Sequence, residues 1–331
     1  MSAADPPSAA ADPVTGDLRP LDAFRDDRTY QGRTYLGADH RRNERRTWIV
    51  TGICGVTLIG LVAGGLITRS MALTAAGLHM AAHVAALLVA AAAYALARRH
   101  AGNPAFSFGT GKLGYLAGFA NGVVLAVTAV LIGVESANRL VDPHEVHFHG
   151  ALPYALGGLA VTTVCMLLLR PTGEAAARND PQGDLNLSAV HLHLTADVAV
   201  GALAVAAIFA GRLGFAVADP LAGLLAALLV AHFAWTLLRR AGAALLDINP
   251  SPDLTAEVRR RLSQSGEKLI DLHLWRLGPG HHAVIAVVAA DHPEPVDAYR
   301  DRLSGLAGVS HVTIEVRGPG AAHAHHHGHV H

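Results

Sequence analysis

The sequence predicts an all-α membrane bundle of six helices followed by a small cytoplasmic α+β domain. Three observations carry this. Of 331 residues, 51% are hydrophobic and only 16% charged, where soluble domains average about 25% charged. Six apolar stretches lie near 48–67, 71–97, 115–138, 151–169, 187–210 and 215–238. Each meets or approaches the roughly 20 residues that cross a hydrocarbon core. After Arg240 the long apolar runs stop, and short alternating segments replace them.

Residues 1–46 are polar and rich in Ala, Pro, Asp and Arg, with no secretory apolar run. They read as a disordered cytoplasmic arm. The membrane domain is expected over 47–240. Gly64-Gly65, Gly157-Gly158 and many alanines supply the small residues that let membrane helices approach closely. Arg41, Arg42, Arg45, Arg46, Arg98, Arg99, Lys112, Arg170, Arg178, Arg239 and Arg240 flank one side. Arg69, Arg139 and Arg212 flank the other. This imbalance puts both termini in the cytoplasm, in what is expected to be the inner cell membrane.

The soluble domain is expected over 241–317. Ser251-Pro252-Asp253 opens a helix with Leu254, Val258 and Leu262 on one face. From Leu269 to Leu277 the chain alternates, Ile270, Leu272 and Leu274 on one side and Asp271, His273 and Trp275 on the other. Gly278-Pro279-Gly280 is a turn signal. A strand over 282–290, a helix over 294–306 and a strand over 309–317 complete an α-β-β-α-β order, a two-layer domain. Residues 318–331 form a flexible tail containing His323, His325, His326, His327, His329 and His331. Its composition reads as metal-binding. The interruptions at Ala324, Gly328 and Val330 favour a native tail over a purification tag.

Candidate chemistry concentrates in two pairs, His79/His83 and His193/Asp197, each inside an apolar stretch. Residues four apart share a helix face, with Cβ atoms roughly 6 Å apart. Ionisable groups at membrane depth face a bundle interior and mark function. Facing pairs would offer three imidazoles and one carboxylate, a tetrahedral set suited to Zn²⁺, Co²⁺ or Ni²⁺ and poor for Ca²⁺ or Mg²⁺.

Several stretches in order resemble the cation diffusion facilitator family of metal exporters. They are Ser70-Met71-Ala72-Leu73 before His79, Phe106 to Lys112, Glu135 to Leu140, Asp184-Leu185-Asn186-Leu187, Asp271 to Arg276, and His311 to Val316. The resemblance spans about Glu44 to Arg317. It implies a homodimer, metal/proton antiport and a ferredoxin-like cytoplasmic domain. Its substrates would be Co²⁺, Zn²⁺, Ni²⁺ or Cd²⁺, with no organic cofactor. The His-x-x-x-His pair is similar to the branch linked to cobalt and other divalent metals. Ala76 and Gly60 depart from acidic positions of that branch. Asn103 and Thr110 stand where some zinc exporters carry Asp and His, which implies that a second loop site is absent.

Other groups are read more modestly. Asp271, His273, His281, His282, His311 and Glu315 either line a metal site near a dimer interface, as the resemblance implies, or form a solvated or dimer-packing sheet face. His191 reads as a pore-mouth or structural histidine and His232 as a satisfied packing histidine. His144, His147 and His149 read as an ordinary external loop. Cys54 and Cys165 read as core-packing thiols. The formal net charge of zero gives no argument for nucleic acid. The partners expected are metal ions, protons, lipid and a second copy of the chain.

Three function classes follow. The first is a secondary exporter in which protons and metal compete for one set of donors. The second, a membrane metalloenzyme, lacks a carboxylate between the two histidines: Met80 follows His79, and no His-Glu-x-x-His is present. The third is a non-transporting metal sensor that signals through the soluble domain.

Overall fold

The computed structural model describes residues 35–36, 39–68, 71–142, 148–170, 184–215, 217–249 and 251–319. Within these, the side chains of 65, 68, 71–79, 82, 148–151, 154 and 212 are not described. The N-terminal arm before residue 35, His144 and His147 of the external loop and the tail histidines from His323 onward lie outside the described residues, whereas His149, expected in that loop, falls in the first turn of the helix Phe148–Leu168.

Among the described residues six long helices come first: α1 (His40–Thr68), α2 (Met71–Arg99), α3 (Leu113–Val141), α4 (Phe148–Leu168), α5 (Leu185–Arg212) and α6 (Ala218–Leu245). By length and composition, His40–Gly64, Leu113–Val141, Leu185–Gly211 and Ala218–Leu245 are able to cross a membrane, and Ala155–Leu168 is a shorter apolar helix. Apolar side chains cover the outside of this bundle. Val56, Ile59, Val130, Leu131 and Leu228 are each more than 60% exposed. In water such a surface would be a severe liability; in lipid it is the solvent-facing side.

The helices run past the apolar stretches because hydrogen bonding continues where apolarity ends. α1 starts at His40, eight residues before the apolar run. Its polar first turns are used: the Arg98 guanidinium grips Glu44 through two bonds of 3.0 Å. Asn43 donates to Asp184 at 2.8 Å. α3 lies along α6, α1 along α2, and α4 along α5. Close approach of α3 and α6 depends on Gly223, where a Cβ would strike the Ser136 hydroxyl. At the end of α6, Asp247 adopts a φ of 56°, turning the chain toward the C-terminal part. An aspartate tolerates this left-handed conformation better than most residues. Its carboxylate holds Lys112 at 2.6 Å.

The C-terminal part contains α7 (Pro252–Leu262), β1 (Lys268–Gly278), β2 (His281–Ala289), α8 (Val296–Leu303) and β3 (Val309–Arg317). The Ser251 hydroxyl caps α7 by accepting from the Leu254 N–H at 3.2 Å. The mixed sheet has the order β1-β2-β3, antiparallel between β1 and β2 and parallel between β2 and β3. Val258, Leu262, Leu274, Val284, Ala286, Val288, Tyr299, Leu303 and Ile314 form its core.

One strand departs from the alternation expected of it. Leu269, Leu272 and Leu274 face the core, whereas Ile270 is 50% exposed. A register shift between Leu269 and Asp271 explains this. A bulge adds one residue and reverses the parity of everything before it.

The two parts meet through backbone. A Cβ on Gly111, in the loop before α3, would strike the Leu277 carbonyl, and one on Gly278 would strike the Tyr35 carbonyl. Phe108 of the same loop stacks edge-on against Trp275 and His311, at 5.6 and 5.9 Å between ring centroids.

Candidate metal centre

His83 sits midway along α2, and His193 and Asp197 one turn apart on α5. The chain folds α5 against α2 through buried residues of both helices, Leu87, Ala90, Leu187, Val190 and Leu194. Asn186 adds a direct bond, its amide donating to the Ala90 carbonyl at 2.9 Å. Asp184 starts α5 by accepting from the Leu187 N–H, and it also accepts from Asn43 and the Tyr94 hydroxyl. The Asp184-Leu185-Asn186-Leu187 stretch is therefore a structural knot. It fixes the helix that carries two of the donors.

The donors converge. His83 Nδ1 lies 3.3 Å from His193 Nε2 and 3.2 Å from Asp197 Oδ2. His193 Nε2 lies 3.4 Å from the same carboxylate oxygen. The imidazole planes stand at 89°. All three side chains are largely withdrawn from solvent, at 4%, 9% and 14% exposure.

These distances have a geometric meaning. For bonds of about 2.05 Å, typical of Zn–N and Zn–O, adjacent vertices of a tetrahedron are about 3.35 Å apart. The three donor atoms thus outline one tetrahedral face of the right size, leaving a fourth vertex. Among the described residues this is the one group of three or more His, Cys, Asp or Glu donors close enough to share an ion. His79, expected as the fourth donor, lies one turn before His83 in α2, but its side chain lies outside the described residues.

A cavity of about 460 Å³ reaches His83 and Asp197 from one side. Its other walls include Thr57, Leu61, Met80, Pro153, Thr162 and Gly201. On the opposite side, Val50, Leu87, Cys165, Leu169, Leu187 and Val190 pack into a closed apolar cluster.

The remaining candidates are placed differently. The Asp271 carboxylate and His273 Nε2 pair at 2.9 Å on an exposed edge of β1. His281 Nδ1 contacts the Ser310 hydroxyl at 2.7 Å, and His282 Nδ1 the Gly308 carbonyl at 3.2 Å. Burial holds the His281 pKa below the usual histidine value, against an opposing bond from the Leu36 backbone. His311 lies against Phe108, and Glu315 holds Arg317 at 2.7 Å. These six do not gather into a three-donor group among the described residues of one chain.

His232 is a correction. It is exposed on α6 rather than packed in the core, in a groove with Trp235, Arg239 and Arg240. An apolar helix surrounded by lipid carries no inward preference in its hydropathy, so the sequence could not show which face His232 occupies. His191 is half-buried, and its Nε2 has no hydrogen-bond partner among the described residues. Asn103 and Thr110 have local duties: Asn103 accepts from the Ala105 N–H at 3.0 Å, and the Thr110 hydroxyl donates to the Ala97 carbonyl at 2.8 Å. The thiol pair of Cys54 and Cys165 brings its sulfurs to 3.7 Å across α1 and α4. Sequence spacing of 111 residues gave no sign of that proximity.

Apolar helices around a withdrawn donor cluster, with a cavity leading to it, are the architecture of a membrane protein that handles a cation. Residues 47–246 match the cation efflux transmembrane domain. The chain belongs to this cation efflux family, the cation diffusion facilitators, and is a transporter rather than an enzyme. It is 28% identical over 283 residues to the zinc transporter ZitB of Yersinia pestis, covering 83% of this chain and 88% of that protein. It is 30% identical over 294 residues to the metal cation efflux system protein CzcD of Cupriavidus metallidurans, covering 85% and 90%. The cadmium, cobalt and zinc/H(+)-K(+) antiporter of Bacillus subtilis is 26% identical over 293 residues, covering 85% and 92%.

Proposed function

We propose that the chain exports divalent transition-metal cations from the cytoplasm in exchange for protons, through a site made by His79, His83, His193 and Asp197. The observation that carries this reading is the triangle of donor atoms with edges of 3.2, 3.3 and 3.4 Å. Zn²⁺ and Co²⁺ fit its size and nitrogen-rich character, and Ni²⁺ and Cd²⁺ belong to the same class of soft or borderline cations. The metals named for the relatives, zinc, cadmium and cobalt, agree with that range. Similarity to the cobalt-linked branch rests on the His79/His83 pair alone.

Six spans, a homodimer in the inner membrane and cytoplasmic termini complete the proposal. In that orientation the cavity beside Thr57, Pro153 and Gly201 occupies the outer half of the bundle, while the cluster around Val50 and Leu169 closes the inner half. This is a release-side arrangement. The small α-β-β-α-β part would take the ferredoxin-like role, and its exposed Asp271–His273 pair would face a second copy. The tail histidines would raise the metal concentration near the cytoplasmic mouth.

Asp197 is the sole anion of the set, so the metal-loaded site keeps one net positive charge. Asp197→Asn is expected to abolish metal uptake into everted vesicles driven by a pH gradient, while the protein still folds. Full uptake by this variant would refute the site. Normal metal binding with no flux in the unmodified chain would identify a sensor instead.

A further inference from the structure

Cys54 on α1 and Cys165 on α4 are 2% and 0% exposed, and their sulfurs are 3.7 Å apart. A disulfide requires about 2.05 Å, so the two are separate thiols. For zinc–sulfur bonds of about 2.3 Å at the tetrahedral angle, two sulfurs stand about 3.8 Å apart, and the longer bonds of Cd²⁺ ask for only a slightly wider pair. The thiols therefore already occupy one edge of a sulfur-ligated tetrahedron. Their surroundings are also suited to a soft ion. Met80, a thioether, packs in the same buried cluster as both cysteines. Met80 also lines the cavity that reaches His83 and Asp197, as do Thr57 and Thr162, which stand three residues from Cys54 and Cys165 along their own helices. Three residues of helix are about 4.5 Å. The pair thus lies just beneath the cavity floor, within the closed cluster on the far side of the donor triangle.

We propose that Cys54 and Cys165 form a second intramembrane site, a dithiolate for a thiophilic divalent cation such as Cd²⁺, distinct from the histidine–aspartate triangle. Thiolates are the soft ligands that select such ions. Binding forms two metal–sulfur bonds and releases both thiol protons, so one dication replaces two protons and the buried site stays electrically neutral. No oxidant or reductant is involved. Neutrality makes the site tenable among Val50, Leu87, Leu169 and Leu194, which offer no countercharge, and beside the Asp197 carboxylate, whose field reaches Cys54. The histidine triangle keeps a positive charge with the same ion, so the thiol pair is the more favourable stop for a cation that accepts sulfur.

The chain contains only these two cysteines, so a cadmium–thiolate absorption band has no other source. The full-length protein in detergent micelles, stripped of metal and reduced with a phosphine that is then removed, is titrated with Cd²⁺. The ultraviolet charge-transfer band is expected to rise and saturate at one Cd²⁺ per chain. It should fall by more than half in Cys54→Ser and in Cys165→Ser, with Cys54→Ala and Cys165→Ala substituting should a serine variant not fold. Asp197→Asn is expected to keep the band whether or not it transports, which separates this proposal from the transport-site reading. No band in a wild-type chain whose two thiols react freely after denaturation would overturn it. So would a band that keeps more than half its height in either single variant.

Discussion

Asn186 offers a test of how the donor triangle is held. Its amide nitrogen bonds the Ala90 carbonyl at 2.9 Å and the side chain is 1% exposed. Ala90 lies seven residues after His83, and Asn186 seven residues before His193. The clamp is therefore about 10 Å from the donors on both antiparallel helices, at 1.5 Å per residue. Metal–ligand bonds tolerate deviations of about 0.2 Å. Over that lever arm, a rocking of α5 against α2 by about 1° uses up the tolerance. Removing a buried hydrogen bond costs about 1 kcal/mol, with a further 1–3 kcal/mol where a polar group loses its partner. Asn186→Ala is thus expected to weaken metal binding about fivefold or more, seen as a raised half-saturating metal concentration in vesicle uptake. Asn121→Ala is the control. Asn121 is equally buried on α3, and its amide nitrogen has no hydrogen-bond partner among the described residues. Thermal melting of both variants in detergent accompanies the flux measurement. If both lose similar stability and neither shifts the metal dependence, the clamp has no role in positioning the donors. If Asn186→Ala leaves both quantities unchanged, the lever argument itself is wrong.

Other perturbations reach different parts of the molecule. His83→Asp is expected to shift relative uptake toward Zn²⁺ and Cd²⁺ and away from Co²⁺ and Ni²⁺, because an anionic oxygen replaces a nitrogen; unchanged relative rates would remove His83 from selectivity. Gly111→Val should separate the loop before α3 from Leu277 and Tyr35, which limited proteolysis of the full chain would register as new cleavage between the helices and the sheet. In the C-terminal part, burial opposes ionisation of Glu267, but Arg302 at 2.6 Å and the backbone N–H groups of Glu267 and Ser265 more than offset it, leaving its pKa below the ordinary 4.5. A depressed carboxylate stabilises above its unfolded value and loses that contribution as pH falls through its folded one. Glu267→Gln should accordingly melt lower than the parent at neutral pH, with the gap closing below pH 4.5; a gap independent of pH would exclude the charge as its cause.

Much of this was legible in the sequence because lipid imposes a simple rule. A span must be apolar along its length, so the helix cores were visible, and a histidine or aspartate within one was conspicuous. The Ser251 start of α7 and the strand over 309–317 were equally readable, since each is a local pattern. Helix ends were not, because the ladder runs on into the polar turns His40 to Arg46 at one end of the bundle and past the basic pair Arg239-Arg240 to Leu245 at the end of α6. Ile270 was misplaced because a bulge is a property of two paired strands, and one strand's sequence does not contain it. His232 was misplaced because both its alternatives, core and lipid, are apolar. The thiol pair escaped notice for a third reason: it depends on the packing of α1 against α4, which small and apolar residues permit in many registers.

The donor triangle also bears on why such a transporter would run on protons. Edges of 3.2 to 3.4 Å suit a tetrahedral metal face, and they are also within reach of weak hydrogen bonds. Without metal, the same lone pairs of His83, His193 and Asp197 can share protons across the triangle, and the protein need not move to accept them. On the proposed function, metal and protons would then compete for identical atoms in one geometry, and loading one would expel the other. A site that had to collapse or open to change occupant would tie exchange to a larger rearrangement. On the proposed function the exchange would be local, and only access would have to alternate between the cavity beside Thr57 and the closed cluster around Val50. The bonds of Asp184 and Asn186 would then hold α2 and α5, which carry these donors, in fixed register while access changed elsewhere.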